Sequence, residues 1–574
     1  MNALRLMRTV RHLSAEQAVH QVRRRIERFV ERPEKFARRP IGAFPGCRWP
    51  KAIDFLEPGP QRNEGAQVLA GRLQFLNETL EVGWPPDWDA SPSRLWAYNL
   101  HYFDYLWALD YVEAKRSAAD WIARHALGRG RVGWEPYPTS LRLMNWCALF
   151  WDRHRERLDA DPSFRGTLWN SVAVQADWLA GHLEHHLRGN HLLENGAALA
   201  FAGSCFAGEE AAAWESAGLD VLRQELPEQI LEDGGHFERA PMYQARVVYI
   251  LRLLAATRGP AEHMVAEALG RATRALAALV HPDGEIALFN DSAIGIANEP
   301  ATLLAGAPAG ATGSWSLPAS GYYGWRSADG TYLAFDAGPV GPDYLPGHAH
   351  GDIFSFELSL AGRRVIVDSG VHDYLEGDMR RYCRSTRAHN TVEIDGEDQC
   401  EFWGAFRVAR RGRPREVAWR PMPDRRGFTV AGWHDGYERL PGRPRHARRL
   451  VWHADAATHL LMVRDRVQAA GTHGVKSRLH LAPELEIEPI SNAAAVVGGA
   501  GLSFRIVFAG PGRLGIEEAF YCPEFGRRIP NKTVVFSADG VSSWESGFAI
   551  TAADGPLSLS LQRGAAVNGR TYGW

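Results

Sequence analysis

Between Gly347 and Val392 the chain reads GHAHGDIFSFELSLAGRRVIVDSGVHDYLEGDMRRYCRSTRAHNTV, which sets four histidines and several carboxylates around short apolar runs. If His348, His350, Asp352, Phe354 and Phe356 lie on one extended strand, its period of two sends His348 and His350 to the same face. The run Val365-Ile366-Val367 then brings Asp368 to a strand end, and Arg387 to Val392 reads as the start of another strand. A His/His/Asp/His set is competent to hold a divalent ion, because neutral imidazole and carboxylate suit the borderline-soft, tetrahedral preference of zinc. Spacing alone does not say which imidazoles would ligate. The competing reading is that these are hydrogen-bonded histidines at the polar edge of a sheet.

A second constellation lies upstream. In Gly189-Asn190-His191-Leu192-Leu193-Glu194-Asn195-Gly196, Asn190 stands where a helix N-cap would, and His191, Glu194 and Asn195 share one helical face at spacings of three and four. Further on, DGGHFERAPMYQ runs into the apolar helix VVYILRLL and puts Tyr243 in its first turn. A polar face inside an Ala/Leu-rich helix requires a reason, and a shared site supplies one.

The elements that must position these residues divide into two kinds. Helical periodicity recurs over Leu95–Trp107, Ser140–Trp151, Trp169–His186, Leu192–Phe206, Trp214–Ile230, Met242–Ala256 and Met264–Val280, separated by Gly/Pro/Asp-rich connections. Many helices in succession without strands predict an all-α layer of paired helices closing into an incomplete (α/α) toroid. Past the segment 299–321, rich in Ala, Gly and Pro, the pattern changes to short alternating runs with turns at Asp329-Gly330 and Ala361-Gly362, which predicts an antiparallel β-sandwich. The expected class is therefore multidomain α+β: a basic helical extension over 1–90, the toroid over 91–315 and the sandwich over 316–574.

Composition narrows the function. A formal net charge of -2 over 574 residues argues against nucleic acid as the partner, and 45% hydrophobic content marks a folded chain. Cys47, Cys147, Cys205, Cys383, Cys400 and Cys522 are scattered with no CxxC, so reduced structural thiols are expected. Arg and His interrupt every apolar stretch of MNALRLMRTVRHLSAEQAVHQVRRRIERFV, leaving neither a signal-peptide core nor a membrane span. A cytoplasmic location is the expectation on that ground, with the periplasm as the alternative. The same Arg-rich amphipathic stretch reads either as a solvated helix face or as a weak contact with an anionic membrane surface. The 20 Trp, 16 Tyr and 24 Phe, set among Asn, His and Arg in LWAYNLHYFDYLW and GWEPYP, suit stacking on sugar rings.

The GNHLLENG helix, the DGGHFERAPMYQ turn and the GHAHGD…VIVDSG…RAHNTV segment together resemble the heparinase II/III family of polysaccharide lyases and the related alginate lyases. The resemblance runs from about residue 90 to beyond 400, and it is specific for the fold and unspecific for the sugar. It implies an active site between toroid and sandwich and β-elimination across a uronic acid, in which the C5 proton leaves and the C4–O4 bond breaks. On that resemblance Asn190 would hold the substrate carboxylate, with His191 as a second neutralising group or the base. Tyr243 would transfer protons, His348 would face the carboxylate from the sandwich, and Glu194 would orient the site. His350, Asp368 and His389 would hold a structural divalent ion, zinc or alternatively calcium, with Asp352 behind them. Tyr98, Asn99, His101, Arg142, Asn145, Trp146 and Arg239 are expected to bind the anionic glycan, with Tyr102, Trp134 and Tyr137 nearby. The expected setting is bacterial exopolysaccharide or surface-polysaccharide metabolism.

Three alternatives stay open on the sequence. One is a metal-dependent hydrolase using His348, His350, Asp368 and His389. Another is an inverting glycoside hydrolase using Glu194 and Asp291. The third is a non-catalytic glycan-binding protein.

Overall fold

The computed structural model of the protein describes residues 3–30, 48–49, 63–127, 131–308, 310, 312–423, 426–455, 458–499 and 501–574. Cys47 lies outside them. The other five cysteines are buried.

Helices fill the first half where the periodicity places them: Arg94–Tyr102, Pro136–Ala148, Pro162–Gly181, Gly189–Cys205, Glu209–Gln229, Pro241–Ala256 and Pro260–Ala278. Capping explains several of the starts. Ser93 accepts from the Trp96 amide and Asp161 from Phe164, while Pro136, Pro162, Pro241 and Pro260 open their helices where a missing N–H costs nothing. The helix Tyr111–Arg124 was not expected. Its buried face of Tyr111, Ala114, Ala118 and Trp121 follows the helical period, and Asp110 caps it.

The region expected to be a purely helical extension is corrected by a β-hairpin, Arg72–Phe75 with Glu78–Glu81. Leu73 and Phe75 alternate into the core, and Leu76 and Asn77 both take the left-handed conformation that a two-residue turn demands. The expected domain boundary at 315 also falls inside a strand, Gly313–Leu317.

That strand opens a five-stranded antiparallel meander, Gly313–Leu317, Tyr322–Arg326, Tyr332–Asp336, Phe356–Leu360 and Arg363–Ile366. Ala361 and Gly362, at φ 48° and 81°, make its last turn. A ten-stranded antiparallel sheet follows, built on two long strands, His459–His480 and Ile529–Thr551, paired from Leu460↔Thr551 to His480↔Thr533. The chain is thus a helical half followed by antiparallel sheets, with one buried apolar cluster running through both, from Trp96 and Leu193 to Leu358 and Phe548. No helix among the described residues is long and apolar enough to cross a membrane.

Candidate active site

The site lies where the helical half meets the first sheet. Asn190 and His191 stand in the first turn of the Gly189–Cys205 helix, so the expected N-cap role of Asn190 is corrected. Arg188, at φ 61°, occupies the cap position but turns its side chain to Glu225 and Glu228 instead of capping the helix, and Glu238 accepts the Asn190 backbone N–H at 2.9 Å. Gly189 suits that place because its φ of 59° would strain a side chain, and an added Cβ would also press on Glu238 Oε1 at 2.6 Å and the Leu345 side chain at 2.4 Å. The two motifs that carry Asn190 and Tyr243 are therefore joined by one buried carboxylate.

His191 packs its ring against Tyr137, centroids 4.3 Å apart, and its Nδ1 lies 3.2 Å from Glu184. Burial works against the charged imidazole, but the Glu184 carboxylate outweighs it and raises the His191 pKa above 6.5. Glu184 moves the opposite way: burial alone would raise its pKa, and His191 brings it below 4.5. Glu194, one turn on, is fully buried. It takes both arms of Arg246 at 3.0 and 2.9 Å and the Tyr137 hydroxyl at 2.8 Å, a fixed brace under the His191 and Tyr137 rings.

Tyr243 reaches across the junction. Its hydroxyl is 3.0 Å from that of Tyr374, and its ring lies 4.3 Å from the His348 ring. Burial, then the neighbouring Tyr374 and Asp291, push its pKa well above 10, so the free protein holds it as a phenol. His348 stands between two carboxylates: Nδ1 is 2.8 Å from Asp291 Oδ2, and Nε2 is 3.4 Å from Glu238 Oε2 without an aligned hydrogen bond.

The segment bearing His348 and His350 is a loop, which corrects the expected strand. Regular pairing starts only at Phe356, and Phe354 sits at φ 68°. Side chains satisfy the loop instead: Asn290 Oδ1 accepts the His350 N–H and Asp352 accepts the Asn290 N–H. The two histidines still meet at one group, since Asp291 takes His348 on one oxygen and His350 on the other, at 2.8 and 2.9 Å. Arg380, almost wholly buried, grips the same carboxylate with both arms. Burial opposes ionisation of Asp291, but Arg380 and the two imidazoles hold its pKa well below the usual carboxylate range.

His350, Asp368 and His389 form a fully buried group whose ligand atoms lie within 4.8 Å of one another. His389 Nδ1 contacts Asp368 at 2.8 Å, while His350 Nδ1 and His389 Nε2 are buried with no hydrogen-bond partner. Two orphaned imidazole nitrogens beside a buried carboxylate fit a divalent cation by position and by donor type.

The expected glycan contacts divide. Tyr98 and Asn99 are partly exposed, and ring contacts lead from Tyr98 through Tyr102 and Tyr137 to His191. His101, Arg142, Asn145 and Trp146 are corrected: they are packed inside the helical half. Arg142 lies over Trp121 at 4.1 Å and is held by Gln175, Asn145 bonds the Tyr102 carbonyl, and His101 meets Trp121 Nε1. Arg239 is also corrected, for its guanidinium donates to the carbonyls of Phe237, Ala319 and Ser320 and ties helical half to sheet. The glycoside-hydrolase pair fails on the same ground, because Glu194 and Asp291 have no exposed side-chain surface and are each locked to an arginine. A hydrolytic metal centre fails too, because the His350/Asp368/His389 group is closed to solvent.

Sequence reasoning missed Glu238, Tyr374, Glu184, Arg246 and Arg380. Glu238 lies inside the DGGHFERAPMYQ motif, and its place five residues before Tyr243 was the available signal.

A helical half joined to antiparallel sheets, with Tyr243 against His348 at the junction and Glu238 between His348 and the Asn190 backbone, defines a class that the comparisons identify. Residues 102–302 match the family described as Heparinase II/III N-terminus and residues 309–562 the family described as Heparinase II/III-like, C-terminal. Together these matches cover more than three quarters of the chain, and the protein belongs to the heparinase II/III family. It is 26% identical to a heparin-sulfate lyase of Pedobacter heparinus over 49% of this chain and 47% of the relative, so it spans about half the length of that protein. It is 27% identical to FtsZ-localized protein C of Caulobacter vibrioides over 79% of each chain. The crystal structure of heparan sulfate lyase HepC from Pedobacter heparinus superposes with a TM-score of 0.60 at 20% identity, covering 94% of this chain and 92% of that one.

Proposed function

We propose that this protein is a polysaccharide lyase that cleaves an anionic, uronic-acid-containing glycan by β-elimination, on a helical half that closes as an incomplete (α/α) toroid. The observation that carries the reading is the meeting of Tyr243 with His348, ring centroids 4.3 Å apart, with Glu238 lying between His348 and the Asn190 backbone. Elimination needs three things at once. The uronate carboxylate must be neutralised so that the C5 proton becomes acidic, a base must take that proton, and an acid must protonate the departing O4.

The Asn190 amide and His348 neutralise the carboxylate, with Asp291 fixing the His348 ring. His191, oriented by Glu184 and with its pKa raised, takes the C5 proton; a base is most effective when its pKa lies near the working pH. As the C5–H electron pair forms the C4–C5 double bond and the C4–O4 bond breaks, the Tyr243 phenol gives its proton to O4. Its raised pKa supports the role of acid in the free protein. Tyr98 and Asn99 line the approach. His350, Asp368 and His389 would hold the ion, zinc by donor type, and its chemistry there is to pin the loops behind His348 by ligation. Bacterial surface polysaccharide is the proposed source of substrate.

The test is a panel of uronate polymers and bacterial exopolysaccharides incubated with wild type and Tyr243→Phe, reading unsaturated product by mass. Wild type should give a product with the C4–C5 double bond. The variant should lose roughly 10²–10⁴-fold in rate with an unchanged melting temperature. Binding without unsaturated product from any polymer would instead support a glycan-binding protein.

A further inference from the structure

Surface helices of soluble proteins turn their apolar stripe toward the core. The first two helices here do the reverse. Ala3–Val10 docks on the sandwich through Arg5 and Arg8, which meet Glu401, and through Thr9, whose hydroxyl takes the Trp403 indole N–H at 3.0 Å. Ala15–Val30 docks on the helical half and the loop before His348. Gln17 reaches the Tyr344 carbonyl, His20 stacks on His185 with centroids 4.7 Å apart, and Arg24 meets His186. At about 100° per residue, Gln17, His20 and Arg24 centre one face of the second helix, and Ala18, Val19, Val22 and Ile26 centre the opposite one.

That opposite face is open. Met7, Val19, Val22 and Ile26 are 57–63% exposed, and Val10 is 49% exposed. Arg11, just past the end of the first helix, and Arg25 beside Val22 on the second are exposed as well. Residues 3–30 carry 7 basic and 2 acidic side chains, a net of +5, whereas the whole chain stands at -2. Positive charge is thus concentrated on a segment whose large apolar side chains face outward. A second copy of the chain would bring the same positive charge to the same face, so like-charge repulsion opposes self-association. A bilayer with anionic headgroups satisfies both features, taking the apolar side chains below the headgroups and the arginines among them.

We propose that these two helices seat the protein on an anionic lipid surface. The docking contacts fall on Arg188, two residues before Asn190, and on Tyr344, four before His348, so the membrane would lie beside the segments that deliver the site. This inference does not depend on the lyase reading.

The test is flotation of the full-length chain with phosphatidylcholine vesicles and with vesicles containing about a third phosphatidylglycerol. Wild type should partition at least about tenfold more onto the anionic vesicles, and raising the salt should weaken that binding. Val22→Glu with Ile26→Glu, at exposed positions, should lose about tenfold or more of the binding while melting at the wild-type temperature. Absence of wild-type binding to anionic vesicles, or equal binding by the double variant, overturns the proposal. So does a dimer in solution that the same substitutions dissolve, which would make the face a self-association surface.

Discussion

His348 and His350 are two residues apart, are the same residue type and share the two oxygens of Asp291, yet the structure gives them different surroundings. His348 keeps 15% of its side chain open, with Tyr243 against its ring. His350 has no exposed side-chain surface and turns its unpartnered Nδ1 toward Asp368 and His389. Burial lowers the His350 pKa to about 3, with the Asp291 hydrogen bond acting against it, so this ring is neutral and suited to ligation. The difference teaches that chemistry here is assigned by access and partner, and Asp291 is the hinge between an open region and a closed one.

Removing that hinge should have the largest effect. Asp291→Ala leaves Arg380 buried without its carboxylate and frees both histidines, so a loss of about 3–5 kcal/mol in unfolding free energy is expected, together with loss of elimination. Denaturant titration measures it. A stable variant with one activity lost and the other group intact would break the proposed coupling of the two regions.

A paired substitution sharpens the contrast. His348→Ala should abolish product formation while lowering the melting temperature only slightly, because Arg380 and His350 still hold the Asp291 carboxylate. His389→Ala should lower the melting temperature, with activity falling only as the fold does, because it leaves Asp368 buried and unpaired. A chelator should likewise lower the melting temperature of wild type and leave that of His389→Ala where it is. Equal responses of the two variants in both assays would erase the distinction.

The sequence brought Asn190, His191, Tyr243 and His348 into view because motifs of local spacing carry them, and the structure places His191 with Glu194 and Tyr243 with His348. The helices were legible for the same reason, since a 3.6-residue period over ten or more residues is a local signal. What local spacing does not encode is charge satisfied across the chain. Arg380 meets Asp291 from 89 residues away, and Glu238 caps a helix 48 residues earlier. The misplaced residues fail in the same way: Arg142, Asn145 and Trp146 look like a polar-aromatic sugar subsite in one dimension, but their partners Gln175, Tyr102 and Trp121 enclose them in three. A polar residue reads as functional until its buried partner is found.

The smallest expected effect is also the most diagnostic, because stability and activity should move in opposite directions with pH on the open side. The folded pKa of His191 is raised above 6.5, so its ion pair with Glu184 contributes fully below that value and is lost as pH rises through the folded one. The Glu184 pKa is depressed below 4.5, so the same pair is lost again as pH falls through that lower value. Stability from this pair is therefore greatest between the two. Elimination needs the neutral imidazole, so kcat/KM should climb by about tenfold per pH unit below the His191 pKa and level off above it. His191→Gln should remove both slopes while keeping a polar side chain against Tyr137. A profile in which activity and melting temperature fall together as pH rises through this range would assign His191 to holding the substrate carboxylate as an imidazolium, and would move the base to Tyr243.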